Sequence, residues 1–318
     1  MRQTHAPSNP IESTVIAEAS HPAVWAKVVL PPSVRQLPLG ANFDPDRYLR
    51  ASALLQLKGY DYLLTLCGPL GADERVLDIG CGPGTFGRHL AEMNPGSVVT
   101  GSDISAEMLA LAREISPREQ YSNLHFAEAD LRNLGNHFWD GEFDLVLSNY
   151  AFHWMLSDED KARAFTGIGS ILSAKGKAFL YFSAGGAFKE LFEAGYSVIA
   201  RPSWAHYFDG GTFKHPPLPT FKEIDSALGN SPLKATHREL RTVWRPFSRE
   251  DLAEWFAVCI RPFMNRLSSL PDADQKRFAH EVVTEYQLKT EAITGYPRDT
   301  SGALYIRDLA IVLGLEKA

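Results

Sequence analysis

The chain is poor in the features that mark secreted, membrane-bound or nucleic-acid-binding proteins. Its three cysteines, Cys67, Cys81 and Cys259, lie far apart in 318 residues and form neither a disulfide framework nor a metal-type pair. No apolar run approaches the ~18 residues of a membrane span, and the opening "MRQTHAPSNPIEST" has no secretory apolar core. Positive charge is in deficit as well. A formal net charge of -6 argues against nucleic acid and anionic membrane surfaces as general partners. Repeats and low-complexity tracts are absent. What is present, 45% hydrophobic and 22% charged residues, is ordinary for a globular protein with a sizeable core. The expectation is a cytoplasmic protein with reduced thiols.

Along the chain, residues 1–42 contain "VVLPPSVRQLPLG", whose prolines oppose a long helix and suggest an extended arm, suited to contact a second subunit. Helical spacing of Leu55, Tyr62 and Leu66 follows. Strand and helix patterns then alternate: strands at 75–79, 97–104, 124–130, 143–149 and 177–183, with helices between them. Two more strands are expected at 234–244 and 302–315. This rhythm predicts an α/β fold, a doubly wound, mostly parallel seven-stranded sheet with ligands beyond the carboxyl ends of the strands. The expected divisions are a core at 43–183, a cap insertion at 184–232, and sheet-closing strands at 233–318 carrying a helical cap at 245–300.

Residues 76–87, "VLDIGCGPGTFG", fit two ligand-binding templates. Gly82, Gly84 and Gly87 match the dinucleotide pattern G-x-G-x-x-G. Asp78, Gly80, Gly82 and Gly84 match D-x-G-x-G-x-G, the pattern associated with S-adenosylmethionine. Charge separates them. A pyrophosphate seeks helix N-terminal amides without a carboxylate alongside, whereas a sulfonium and an ammonium gain from Asp78. Further acids follow at successive strand ends: Asp103, placed to accept from a ribose hydroxyl, and Asp130, placed for an adenine amino group. Ile104 and Leu131 would flank the adenine. Asn149 and Tyr150 end the fourth strand, facing the reacting methyl group. Each acid taken singly also reads as a helix cap.

Together, "VLDIGCGPG", "GSDIS", "AEADL" and "FDLVLSNYAFHW" resemble the class I S-adenosylmethionine-dependent methyltransferases over roughly residues 45–183. That resemblance implies a Rossmann-like methyltransferase fold and S-adenosyl-L-methionine as cofactor, with Cys81 in the binding loop. "YLRASALLQLKGYDYLL" and "HW" are similar to the small-molecule carboxyl methyltransferases. These include the juvenile hormone acid, trans-aconitate and malonyl-carrier-protein types. This narrower resemblance implies that Gln56 and Trp154 touch the substrate carboxylate. Tyr48 would close over the methionine end of the cofactor and Arg50 would pair with its carboxylate.

A carboxylate is ionised at neutral pH and needs no base to attack a methyl sulfonium. It needs neutral donors, such as the Gln56 amide and the Trp154 indole, that orient it without tight pairing. His153 opens an alternative, in which it deprotonates a hydroxyl or amine acceptor. A binder without catalysis and an NAD-linked oxidoreductase are the readings from other classes. Trp204, Tyr207, Phe208, Phe213, Trp244, Phe256, Phe263 and Met264 are candidates for an apolar acceptor pocket. Arg201, Arg245 and Arg261 are candidates for a second acid group. The expected acceptor is a small hydrophobic acid, and no metal site is expected.

Overall fold

The computed structural model describes residues 15–16, 45–215 and 217–318. Except for Val15–Ile16, the N-terminal arm and its subunit contact lie outside the described residues, as does the Arg261 side chain.

Eight strands form one sheet: β1 (Val15–Ile16), β2 (Arg75–Ile79), β3 (Val98–Asp103), β4 (Leu124–Glu128), β5 (Phe143–Asn149), β6 (Leu172–Ser183), β7 (Leu233–Phe247) and β8 (Leu304–Lys317). Their spatial order is β1-β7-β8-β6-β5-β2-β3-β4. Strands β2 to β6 are mutually parallel, and β8 runs antiparallel between β6 and β7. The seven expected strands are all present. The two-residue β1 adds a short parallel pairing to β7 at the sheet edge.

The helices are α1 (Pro45–Cys67), α2 (Thr85–Met93), α3 (Ala106–Ile115), α4 (Asp158–Ile171), α5 (Lys189–Ile199), α6 (Pro202–Ala205), α7 (Phe221–Gly229), α8 (Arg249–Cys259), α9 (Arg261–Met264) and α10 (Asp272–Glu291). Strand alternation sends neighbouring residues to opposite layers. Val76 packs with Tyr60 and Leu63 of α1 and with Phe86 and Leu90 of α2. Leu77 and Ile79 pack on the other layer with Phe165 and Ile168 of α4. Local sequence sets several boundaries: the Ser105 and Ser157 hydroxyls accept amide hydrogens at the starts of α3 and α4. Among the described residues, no helix is long and apolar enough to cross a membrane.

A third apolar cluster joins α5, α6, α8 and α10 into a cap that meets the sheet at Phe247 of β7 and Ile306 of β8, and α1 at Leu55. The expected cap insertion at 184–232 is only partly cap. Within it, α7 places Ile224 and Ala227 against α4 and the sheet, because its apolar face belongs to the sheet layer.

Candidate active site

The carboxyl ends of β2 to β6 and the first turns of α1 enclose a cleft of about 560 Å³. The strand order divides its lining. Gly80, Cys81, Gly82, Asp103, Ile104, Asp130 and Leu131 follow β2, β3 and β4 on one side. Asn149, Tyr150, His153, Trp154 and Ser183 follow β5 and β6 on the other, with Tyr48 and Gln56 of α1 above.

The glycine turn is built by backbone geometry. Gly80 has φ 70° and its N–H donates to the Ser102 carbonyl at 2.7 Å. A Cβ at Gly80 would collide with the Ala151 Cβ, so the turn and the segment after β5 approach as closely as glycine permits. Gly82, at φ 53°, has open space where its Cβ would stand. The Asp103 carboxylate accepts from the Gly82 N–H and the Ser105 N–H, both at 2.9 Å, which fixes it at the rim.

Three expected cofactor residues stand elsewhere. Asp78 is fully buried beneath the cleft, because alternation turns it toward α1, where the Tyr60 hydroxyl donates to it at 3.2 Å. Gly84 does not line the cleft. It caps the start of α2 at φ 70° and lies so near Phe126 that a side chain would clash. Arg50 is exposed on α1 and is not among the lining residues. Asp130 does line the cleft, but its carboxylate is gripped by the Arg132 guanidinium at 2.6–2.9 Å and caps the short helix 131–136.

Burial pushes the Asp78 carboxyl up to about 8, with the Asp103 charge adding to the effect and the Tyr60 hydrogen bond opposing it. A carboxyl raised in the folded state contributes stability that is full below its unfolded value near ~4 and is lost as pH rises through its folded value. Asp78→Asn should therefore flatten the fall in stability between pH 6 and 9, a change of about 2–3 kcal/mol. Urea midpoints measured across that range check this; an unchanged slope would dismiss the assignment.

On the other side, the Asn149 amide donates to the Gln56 carbonyl at 2.8 Å, and its Oδ1 stands where a Cβ at Gly59 would lie. This contact clamps α1 over β5. Tyr150, at φ 55°, donates its hydroxyl to Asp308, which Arg245 also engages at 3.1 Å. Burial and the Asp308 charge hold that phenol well above its ordinary value, so it stays protonated. Among the described residues, the side chains of Gln56, Trp154, His153 and Ser183 make no hydrogen bonds, although all four line the cleft. Arg132 lines it too, already paired with Asp130. Burial, assisted by His215, pushes His153 down to about 3.

The apolar wall comes from Leu55, Phe188, Trp255, Cys259 and Ile260. Sequence reasoning chose other residues. Trp204, Phe208, Phe256, Phe263 and Met264 form the interior of the cap, with Tyr207 and Phe213 packed against it, and Trp244 meets Tyr296 edge-on. None of these lines the cleft. Arg201 is spent on Glu281 and Glu285, and Arg245 on Asp308. Ser183 was missed, although the rule that found Asp103 and Asn149, a polar residue ending each strand, also selects it.

Residues 76–176 match the model of the family described as methyltransferase domain. The chain is similar to trans-aconitate 2-methyltransferase of Streptomyces avermitilis, with 36% identity over 129 residues, 39% of this chain and 46% of that protein. It is likewise 36% identical over 120 residues to the enzyme of the same name from Mycobacterium tuberculosis, covering 37% of this chain and 41% of that one. The chain thus spans less than half the length of these relatives. In fold it is similar to a protein provisionally named sarcosine dimethylglycine methyltransferase from Galdieria sulphuraria. There the TM-score is 0.51 at 14% identity, covering 91% of this chain and 92% of the other.

Proposed function

We propose that the protein, which carries a class I methyltransferase domain, transfers the methyl group of S-adenosylmethionine to the carboxylate of a small, largely apolar acid. The observation that carries the reading is a cleft with unpartnered neutral donors, an apolar wall and no unpaired cation among its described lining residues. The relatives' name supports a carboxyl acceptor. Their tricarboxylate substrate suits this lining less well, since three charges would call for free cations.

The residues on the cofactor side fit the cofactor. The space at Gly82 would admit the methionine end, the Asp103 carboxylate would accept from ribose hydroxyls, and Ile104, 61% exposed, would offer an apolar surface to adenine. Arg132 occupies the Asp130 carboxylate, so the adenine amino group would share that acceptor. When bound, S-adenosylmethionine supplies an activated methyl group on a sulfonium leaving group. The protein supplies alignment and water exclusion. Gln56 and Trp154 hold the acid by N–H donors, and the cap wall takes its tail.

A hydroxyl or amine acceptor would need a base, and burial leaves His153 a weak one. Three cysteines outside any disulfide suit a reducing, cytoplasmic setting.

The first measurement supplies S-adenosylmethionine labelled in its methyl group with pooled fatty, isoprenoid, aromatic and tricarboxylic acids. Label released as methanol by mild alkali identifies an ester; alkali-stable label sinks the carboxyl reading. Trp154→Phe and Gln56→Ala should each lower kcat/KM by roughly 5–100-fold, the worth of one donor at ~1–3 kcal/mol. Affinity for S-adenosylhomocysteine should stay unchanged, and a parallel loss of it would move those residues to the cofactor.

A further inference from the structure

We infer that His153 serves as a neutral N–H donor, not a base, and that with the Ser183 hydroxyl it forms a polar floor orienting the acceptor carboxylate. The inference rests on the carboxyl-methylation reading and adds two residues to its donor set.

His153 sits in the short turn 152–154 that follows β5. Its Nδ1 is buried and has no hydrogen-bond partner. The ring lines the cleft, and Nε2 makes no hydrogen bond among the described residues. A buried N–H without an acceptor is costlier and rarer than a buried lone pair without a donor. The proton therefore belongs on Nε2, the nitrogen the cleft can reach. The groups around the ring do not favour an imidazolium. The Tyr150 and Trp154 rings lie 6.3 and 5.0 Å away, centroid to centroid, and the charge that acts on His153 is that of another base, His215.

Ser183 is the last residue of β6, the parallel neighbour of β5, with Tyr181 in register with Asn149. It lies two residues beyond Tyr181, whose ring packs in the α1 layer, so alternation turns its hydroxyl to the layer that also holds Gln56. Ser183 is 3% exposed, lines the cleft, and has an unpartnered hydroxyl. Gln56 approaches from α1, His153 and Trp154 from the turn after β5, and Ser183 from the end of β6. In the transfer, the carboxylate oxygen forms the new C–O bond as the C–S bond breaks and its electron pair returns to sulfur. No proton moves, so donors suffice.

The test begins with protein labelled with ¹⁵N-histidine and saturated with S-adenosylhomocysteine. The resonance missing from His153→Gln should show a neutral Nε2–H tautomer throughout about pH 5–8. A proton on Nδ1, or protonation within that range, would overturn the inference whether or not methyl transfer is found. Decanoic acid titrated into the complex should shift that resonance saturably, and the absence of a shift counts against the floor. With an acid that the labelling assay shows to be methylated, His153→Gln should keep kcat/KM within ~3-fold and Ser183→Ala should raise KM about 3–10-fold. His153→Phe should raise KM more than ~10-fold with S-adenosylhomocysteine affinity unchanged. A base would instead lose kcat in His153→Gln together with one limb of the pH profile. Should no acid be methylated while the tautomer and the decanoic acid shift are as stated, the chemical reading falls and the donor assignment stands.

Discussion

Arg245→Met should lower the free energy of unfolding by about 3–5 kcal/mol, because it strands a carboxylate in the interior. Asp308 has no exposed surface and Arg245 is 3% exposed, so water cannot replace the lost partner. The guanidinium reaches Asp308 Oδ2 with two nitrogens at 3.1 Å, and the Tyr150 hydroxyl bonds to the same oxygen. Without Arg245 the buried carboxylate has no counter-charge. Urea unfolding reads the loss. Adding Asp308→Leu should recover most of the loss, since removing both charges from the interior costs far less than removing one. A single variant as stable as the parent would mean that Asp308 has another partner.

Gly80→Ala should weaken S-adenosylhomocysteine binding by about 100-fold, and its cause is local. The new methyl group meets φ 70° and the Ala151 side chain together, and left-handed backbone at a non-glycine residue alone costs roughly 1–3 kcal/mol. Either the glycine turn or the segment after β5 must move, and both line the cleft. Titration calorimetry measures the affinity, and circular dichroism establishes that the sheet persists. Gly68→Ala is a fair comparison. It shares the positive φ, at 74°, but has nothing within 4 Å of its Cβ and is not among the lining residues, so it should bind normally.

Much of the sheet was legible because strands such as β2 and β5 are short apolar runs between turn residues. β2 and β5 fall where the text places them, and α3 begins after a serine that caps it. Cleft residues such as Asp103 and Asn149 were legible because they are polar groups at strand ends, a position visible in one dimension. The apolar wall was not. Phe188 and Trp255 line the cleft while Trp204 and Phe263 fill the cap, and the choice depends on how α5, α8 and α10 pack. Charge pairing was equally hidden. Arg245 and Asp308 are 63 residues apart and meet because β7 and β8 are neighbours. Asp78 illustrates a finer limit: its position was readable as a strand end, but its burial against Tyr60 depends on which layer the strand turns it toward.

Strand β8 also has a kinetic consequence. It lies between β6 and β7, although β7 precedes it in the chain and α8, α9 and α10 separate the two. During synthesis, β2 to β6 emerge as successive strand–helix units and can pair as they appear. Strand β7 must wait, with its long edge unmatched, until residues 304–317 arrive to fill the gap. Such distant pairing pays its loop-closure entropy before any contact repays it, which makes it slow. The segment after β5, which bonds to Asp308 of β8 through Tyr150, therefore matures after the glycine turn. A nascent chain would complete one side of its cleft before the other.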